Sequence, residues 1–203
     1  QVREQCGKDF NVAVKLNSAD FQRGGFDVDD ARDVVGMLAQ HNVDLVELSG
    51  GSYEAPAMQG RTADDRTLAR EAYFLIFAEQ IASTTTIPIM TTGGIRKLAV
   101  AQQVIQSGVD MVGIASALAL TPDLPNQWRS SPDTLGVIPV VNWKDKTLSG
   151  LATMAQVKRQ LRRVGNGKRP SQNTNPIISL ILDQLRSAKL TKRYRKQYAD
   201  EVQ

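Results

Sequence analysis

The chain has 203 residues, of which 41% are hydrophobic and 23% charged, and its formal net charge is +4. This is the composition of an ordinary soluble protein, and no apolar run approaches the roughly 20 residues that a membrane crossing needs. A single cysteine, Cys6, excludes an internal disulfide and a multi-cysteine metal site. The first ten residues have no signal-peptide pattern, so we expect a cytoplasmic protein.

The first part of the chain alternates short aliphatic runs with helical periodicity. The predicted strands are Val12–Leu16, Val43–Leu48, Ile87–Met90 and Met111–Ile114. Each run is continuous, which is typical of strands buried on both faces. Apolar residues between the runs repeat with helical spacing and predict three helices. The first lies around Ala31–Leu38, with Asp27 or Asp29 as its cap. The second lies at about Asp65–Ser83, and the third runs from Leu98 to a stop at Gly108. This alternation predicts parallel strands with right-handed crossovers, as in a (β/α)8 barrel or a doubly wound sheet.

The last part of the chain differs in charge from the first. Residues 151–203 carry 12 Lys and Arg against 3 Asp and Glu, whereas residues 1–150 carry 13 against 18. Two segments predict helices in the basic part: Met154–Gly165 and Asn175–Leu190. The second segment has an apolar stripe for packing back on the first part, formed by Ile178, Leu182 and Leu185.

Polar and glycine-rich segments follow the predicted strands. In parallel α/β folds, ligands bind where strands end and helices begin. Two of these junctions contain glycine pairs, Gly50-Gly51 and Gly93-Gly94. Glycine lets backbone N–H groups approach an anion closely, and the helix N-terminus after TTGGIRK favours phosphate. Glycines that only form a tight turn explain the pattern equally well, so both interpretations stay open.

Four segments carry a resemblance to a known family. They are VAVKLNSADFQRGGF, VDLVELSGGSYE, IPIMTTGGIR and VDMVGIASALALTPDLP, with REAYF at Arg70–Phe74 between the second and third. In this order they resemble the C-terminal half of the old yellow enzyme family, the FMN-dependent NADH:flavin oxidoreductases. The resemblance covers residues 10 to 125 and implies strands five to eight of a TIM barrel. The implied domains are 1–125, half of an FMN-binding barrel, and 126–203, connecting loops and basic helices.

The resemblance also implies which residues hold the cofactor. Lys15 stands where the family has a basic residue beside the N1–O2 edge of the flavin, and a fixed cation there stabilises the reduced anion. Gly93 and Gly94 match the family's phosphate-binding turn. Ala115 and Ser116 stand where the family often has Gly-Arg. The arginine that contacts the FMN phosphate in the family is therefore absent at this position.

We assign no catalytic residue to this chain. The family's His-Asn or His-His pair and its proton-donating tyrosine belong to the N-terminal half of the barrel. The one histidine here, His41, is predicted at a helix end, on the face opposite the chemistry. Asn17, Ser18 and Asp20 follow the first strand, where they either line the mouth of the barrel or fix the loop.

Four strands cannot close an eight-stranded barrel, because two strand edges would stay unpaired. We therefore expect a fragment of a longer protein, completed by the missing N-terminal half or by a second copy of the chain. The activity implied by the resemblance transfers hydride from NADH or NADPH through FMN to a small-molecule substrate, an activated alkene or a related electrophile.

Two other functions stay open. A non-flavin lyase or aldolase of the (β/α)8 type would bind phosphate and use Lys15 as a Schiff-base nucleophile. A nucleic-acid-binding protein would use the basic tail, which includes Lys192–Lys196. No recognised binding motif or aromatic platform accompanies the tail, so a solvated helix face is the preferred interpretation. Nucleic acid, membranes and metals are not expected partners.

Overall fold

The computed structural model describes residues 1–20, 23–50 and 71–198. Within them lie a four-stranded parallel sheet and eight α-helices. The strands are β1 (Ala13–Asn17), β2 (Leu45–Ser49), β3 (Ile89–Thr91) and β4 (Met111–Val112). The helices are α1 (Val2–Cys6), α2 (Val28–Leu38), α3 (Leu75–Ala82), α4 (Leu98–Gln106), α5 (Ser116–Leu120), α6 (Leu124–Ser130), α7 (Lys146–Gly165) and α8 (Pro176–Gln197). The predicted α/β class with parallel strands is confirmed.

The chain divides into two compact units. The first comprises Gln1–Ala115 and Pro125–Leu135 and contains the whole sheet. The second comprises Ser116–Leu124 and Gly136–Gln203 and contains the two long helices α7 and α8. The predicted domain boundary at residue 125 stays a prediction.

The sheet has the strand order β1-β2-β3-β4, and every neighbouring pair is parallel. Lys15 is in register with Glu47, and Met90 is in register with Met111. Parallel neighbours need a crossover between them, and α2, α3 and α4 lie in the three connections. All four strands consequently end at the same edge, and the segments that follow them begin there.

Two aspartates satisfy strand N–H groups at the opposite, amino-terminal edge. Val12 N–H donates to Asp44 Oδ2 at 2.6 Å, and Ile89 N–H donates to Asp110 Oδ2 at 2.8 Å. The Val12 hydrogen bond lowers the pKa of Asp44 below its ordinary value, and the Arg3 guanidinium adds to this effect. These carboxylates therefore stabilise the edge at which the strands begin.

Helix α2 begins at a capping box on Asp27, one of the two candidate caps that the sequence left open. The Asp27 carboxylate accepts hydrogen bonds from Asp29 N–H and Asp30 N–H at 2.9 and 3.2 Å. The Asp30 carboxylate accepts one from Asp27 N–H at 3.0 Å, so the two side chains together satisfy N–H groups at the start of the helix that would otherwise be unpaired. The helix passes into a 3₁₀ turn, Ala39–His41, and Asn42 follows with a left-handed φ of 52°. The histidine thus ends the helix before β2, as predicted.

The core of the first unit lies around the two central strands. Val46, Leu48 and Ile89 are fully buried. The helices bury small and branched side chains against the sheet: Ala31, Val35, Ala78, Ile81 and Val104. The prediction that all four strands are buried on both faces is wrong for β1 and β4, where Lys15 and Met111 are exposed. These are the outer strands of the described sheet, so each has a neighbouring strand on one side only.

The second predicted helix corresponds to α3, which begins at Leu75. We predicted it from about Asp65, but residues 51–70 lie outside the described part, and residues 71 to 74 are not helical. Ala72, which lies within the predicted helix, has a left-handed φ of 57°. That backbone conformation is unfavourable for alanine. It places Glu71 and Tyr73 near the turn that follows β3, as the contacts described below show.

The second unit is built on two long helices with clear N-caps. Asp145 accepts hydrogen bonds from the N–H groups of Thr147 and Leu148, and Asn175 caps α8 in the same way. Both helices are longer than predicted. A small apolar cluster supports α7, formed by Ala119, Leu120, Val137 and Val157. Within the described ranges, no helix combines the length and the apolar character that a membrane crossing requires.

The apolar stripe predicted on α8 is not the face that packs on α7. Ile178, Leu182 and Leu185 are 50%, 45% and 64% exposed. The residues that α8 buries are Ser179 and Asp183. Helix α8 packs on α7 through hydrogen bonds and ion pairs of its polar side chains, which hydrophobic periodicity does not detect. Packing of the stripe on the first part of the chain stays a prediction.

Candidate cofactor site

The loop after β1 is fixed by its own polar side chains. Ser18 is fully buried, and its N–H and hydroxyl both donate to the carbonyl of Ser49, at 2.7 and 2.6 Å. The Asn17 amide donates to Asp20, whose carboxylate also accepts the Phe26 N–H at 3.1 Å. These three polar residues therefore act in the loop, which is one of the two roles that the sequence left open.

Lys15 is the central residue of β1, not its last, because strand pairing continues through Asn17 and Ser49. Its side chain is 54% exposed, and its Nζ donates to Glu47 Oε1 on the neighbouring strand. Glu47 therefore neutralises the cation that we predicted beside a flavin ring. An exposed ion pair of this kind contributes about 0–1 kcal/mol, so a ligand with a stronger negative charge could compete for Lys15.

The Gly93-Gly94 turn is packed against Tyr73. The two glycines have left-handed φ angles of 124° and 71°. A Cβ at Gly93 would lie 2.8 Å from Tyr73 N, and a Cβ at Gly94 would lie 2.5 Å from the Tyr73 hydroxyl. Tyr73 N–H also donates to the Gly93 carbonyl at 3.3 Å. Glycine is required here for both backbone conformation and space, and the space is filled by a tyrosine.

Glu71 supplies a negative charge at the start of α4. The Lys97 N-cap makes no side-chain capping bond, but Glu71 Oε2 accepts the N–H groups of Arg96 and Lys97 at 2.8 and 3.0 Å. Its Oε1 lies 3.5 Å from Arg96 Nε and 3.6 Å from Lys97 Nζ. The Glu71 side chain is only 8% exposed. A carboxylate thus occupies the position at a helix N-terminus where a phosphate is favoured.

Tyr73 packs on the glycine turn, and the charges of Glu71 and Arg96 act on its hydroxyl. Burial raises the pKa of its hydroxyl above the ordinary value, and the negative charge of Glu71 raises it further, whereas Arg96 partly opposes both. The hydroxyl therefore stays protonated at neutral pH.

The described residues fit a phosphate-bearing flavin only in part. Thr91 Oγ1 and Asn17 Oδ1, at the carboxyl ends of β3 and β1, are buried without a hydrogen-bond partner. Buried polar atoms normally have a partner, so these two are available to a ligand. The glycine turn is not an open phosphate cradle in this conformation, because Tyr73 covers it and Glu71 already caps α4.

The remaining predicted cofactor residues follow β4. Ala115 and Ser116 are both exposed, and Ser116 begins α5 in the second unit. Gly51 of the other glycine pair lies outside the described residues. Among the described residues, no group of three or more His, Cys, Asp or Glu side chains could hold a metal.

Sequence reasoning missed three side chains of this region: Glu47, Glu71 and Thr91. Glu47 lies within a run that we interpreted only as a buried strand, and Glu71 within a segment that we interpreted as a helix. A charged residue inside an apolar strand run is a signal that could have identified Glu47. Glu71 bonds to residues 25 and 26 positions away, so local periodicity carries no sign of it.

Comparison with known proteins identifies relatives along most of the chain. A protein of Aspergillus parasiticus named NADH-dependent flavin oxidoreductase is 30% identical over 170 residues, which are 83% of this chain and 37% of the relative. Proteins of the same name from a Neonectria species and from Hypocrea jecorina are 32% and 34% identical over 72% and 61% of this chain. The chain is a homologue of the NADH-dependent flavin oxidoreductases. The resemblance to the old yellow enzyme family is thereby confirmed.

This flavin oxidoreductase homologue spans only 20% to 37% of the length of those three relatives. A family model described as "Histidine biosynthesis protein" matches residues 67–147. Among solved structures, a dihydropteroate synthase from Xanthomonas albilineans has a TM-score of 0.40 and 17% identity, and the match covers 80% of this chain and 58% of that one. A structural likeness at this level supports no conclusion.

Proposed function

We propose that this chain is the C-terminal half of an FMN-dependent oxidoreductase of the old yellow enzyme type, with β1 to β4 as strands five to eight of a TIM barrel. The observation that carries the proposal is the homology, along 83% of the chain, to a protein named NADH-dependent flavin oxidoreductase. The strand order supports it, because consecutive barrel strands are neighbours, whereas a doubly wound sheet reverses its order at a switch point. The match of residues 67–147 to a family of TIM-barrel type also agrees.

In this proposal the chain binds the flavin through few side chains. Lys15 places its ammonium beside the ring edge that becomes negative on reduction. Gly93, Gly94, Ala115 and Ser116 present backbone N–H groups, and the Ser116 hydroxyl, to the phosphate. A bound FMN would supply two-electron chemistry between NADH or NADPH and a small electrophile, such as an activated alkene.

The proposal requires a rearrangement at the phosphate end. Two negative groups cannot share one helix N-terminus without strong repulsion, so Glu71 has to leave α4 when a phosphate binds at the turn. Tyr73 has to move with it, because its side chain fills the space beside the two glycines that the phosphate would occupy. In the complete protein, the missing half-barrel or a second copy of the chain would cover β1 and β4. We place that protein in the cytoplasm.

The lyase alternative has less support from the described residues. A Schiff-base nucleophile attacks a carbonyl with its amine lone pair, whereas the Lys15 Nζ here is engaged by Glu47 Oε1 on the neighbouring strand. Borohydride trapping of a carbonyl substrate on Lys15 would nonetheless establish that function in place of the flavin one.

The proposal is tested by titrating the 203-residue chain with FMN and recording its visible absorption. We expect a shifted, saturable flavin band, and Lys15→Met should weaken FMN binding by roughly tenfold, the loss expected from one charge-assisted contact of about 1.5 kcal/mol. Lys8→Met is the matched control, because Lys8 is exposed and its ammonium has no ion pair among the described residues. A chain that binds no FMN, or two variants that weaken binding equally, would refute the proposed role of Lys15.

A further inference from the structure

Helices α7 and α8 line a basic cavity in the second unit that is largely open to solvent. Its volume is about 310 Å³, at the lower end of the roughly 300–1,000 Å³ typical of small-molecule sites. Five cationic side chains line it, from the end of α7, the following loop and the middle of α8: Arg159, Arg162, Arg163, Lys168 and Arg186. Nothing in the proposed flavin chemistry uses these residues.

The cavity exists because the two helices run side by side in the same direction. Gln156 contacts Thr174 and Arg159 contacts Ser179, so the contacts advance together along both segments. The connecting loop returns along α7, where Ser171 N–H donates to the buried Gln160 side chain at 2.8 Å. The basic ends of α7 and the loop are thereby held beside α8.

Three of the five cations are oriented by single hydrogen bonds. Arg159 donates to Ser179 at 3.2 Å, Arg162 donates to Asp183 at 3.1 Å, and Arg163 donates to the Arg169 carbonyl at 3.0 Å. A guanidinium carries five N–H donors, so most donors of these arginines remain free for a ligand. Arginines that are already held in place lose little conformational entropy on binding, and a guanidinium can donate two parallel hydrogen bonds to two phosphate oxygens.

The other two cations have no partner within the part of the chain that the structure describes. Neither Lys168 nor Arg186 makes an ion pair or a side-chain hydrogen bond there. In the sequence from Lys146 to Tyr198, Asp183 is the one carboxylate among 13 Lys and Arg. Asp183 is shared between Lys158 and Arg162, so the positive charge of the cavity is largely uncompensated.

Ordinary helix electrostatics explain only part of this arrangement. Cations in the last turn of α7, Arg162 and Arg163, are favoured by the helix dipole. The dipole is equivalent to about half a negative charge, which does not balance five cations. It also gives no reason for Lys168 in the loop or for Arg186 in the middle of α8.

We propose that this cavity binds a small soluble anion that carries two or more phosphate groups. A single phosphate monoester has a charge of only about −1.5 to −2 at pH 7, whereas the five cations are offset by part of one carboxylate. A di- or triphosphate matches that charge more closely, and five like charges around one concave site raise the local concentration of anions. The site does not depend on the flavin proposal.

The test uses the complete 203-residue chain and tripolyphosphate, measured by isothermal titration at 150 mM salt. We expect one saturable site, which Arg186→Gln weakens at least tenfold. Lys192→Gln is the matched control, because it removes the same charge from the same helix outside the cavity and should leave the affinity within twofold. Arg186 is exposed and has no described partner, so both variants should keep the circular dichroism and melting temperature of the parent.

Absence of saturable binding would overturn the proposal, and so would equal losses in the two variants, which would indicate a diffuse basic surface. A single-stranded RNA oligonucleotide serves as a second titrant. If it binds more tightly than tripolyphosphate and also depends on Arg186, the surface recognises a nucleic-acid backbone, and the small-anion proposal is wrong. Competition by ATP with the same dependence on Arg186 would support the small anion and identify a nucleotide as its form.

Discussion

Glu71→Gln is the substitution that best tests the structure of the candidate cofactor site. It keeps the shape of the side chain and removes its charge. In the parent, Glu71 accepts two backbone hydrogen bonds at 2.8 and 3.0 Å at the start of α4 and lies 3.5 and 3.6 Å from two cationic groups. The variant therefore measures how much of the stability of the turn depends on an internal anion.

The magnitude follows from those contacts. A hydrogen bond to a charged acceptor contributes about 1.5–3 kcal/mol and one to a neutral acceptor about 0.5–1.5, so two such bonds lose about 2 kcal/mol in total. The helix dipole is part of the same effect and adds little beyond it. The Gln amide nitrogen at the Oε1 position would face Arg96 Nε and Lys97 Nζ, which are also donors. We expect the first unit to lose about 2 kcal/mol of its free energy of unfolding.

The assay is urea unfolding combined with peptide-resolved hydrogen–deuterium exchange, which separates the first unit from the second. Glu71→Gln should lower the midpoint and increase exchange in α4 and at Tyr73 before other segments. Glu79→Gln on α3 is the matched control, because Glu79 has no ion pair among the described residues. A change in Glu71→Gln smaller than about 0.5 kcal/mol, or equal to that of the control, would refute the reasoning.

Two further predictions concern the glycine turn and the helix pair. Gly94→Ala should destabilise the first unit by about 2–4 kcal/mol in urea unfolding, against about 1–2 for Gly24→Ala. Gly24 has a similar φ of 74° but nothing within 4 Å of an added Cβ, whereas at Gly94 the Tyr73 hydroxyl would be 2.5 Å away; equal losses would show that Tyr73 does not pack on the turn. For Asp183, burial alone would raise the pKa, but hydrogen bonds and charges from Lys158 and Arg162 outweigh it and lower the pKa below its ordinary value. Stability from this group is therefore present above the unfolded pKa of about 3.9 and is lost as pH falls through the folded value. Urea midpoints of the second unit from pH 7 to pH 2 should show this loss in the parent and a smaller one in Asp183→Asn, and parallel curves would contradict it.

The strands and several helices could be predicted from sequence because their signals are local. The apolar runs at Val43–Leu48 and Ile87–Met90 overlap β2 and β3 of the structure, and Asp27, one of the two predicted caps, starts α2. This cap could be predicted because its hydrogen-bond partners are only two and three residues away in the sequence. Gly108, with a φ of 90°, follows α4 closely, as predicted.

The ordered motifs also determined the family, since homology requires only that residues and intervals match. The sequence by itself thus established a parallel α/β chain related to flavin oxidoreductases. The two glycines of the TTGGIRK segment were equally compatible with a phosphate cradle and a tight turn. A sequence does not show whether a glycine is needed for a left-handed backbone or for space beside the backbone, because glycine meets both requirements.

Only the tertiary structure decided which charges meet. Lys15 pairs with Glu47, 32 residues away, and Glu71 bonds to Arg96, 25 residues away. The register of β1 on β2 makes the first pair, and the left-handed turn at Ala72 permits the second. On α8, the polar residues Ser179 and Asp183 are buried while the apolar stripe is exposed. Periodicity reports which face of an element is apolar, whereas burial and charge pairing depend on what packs against that face.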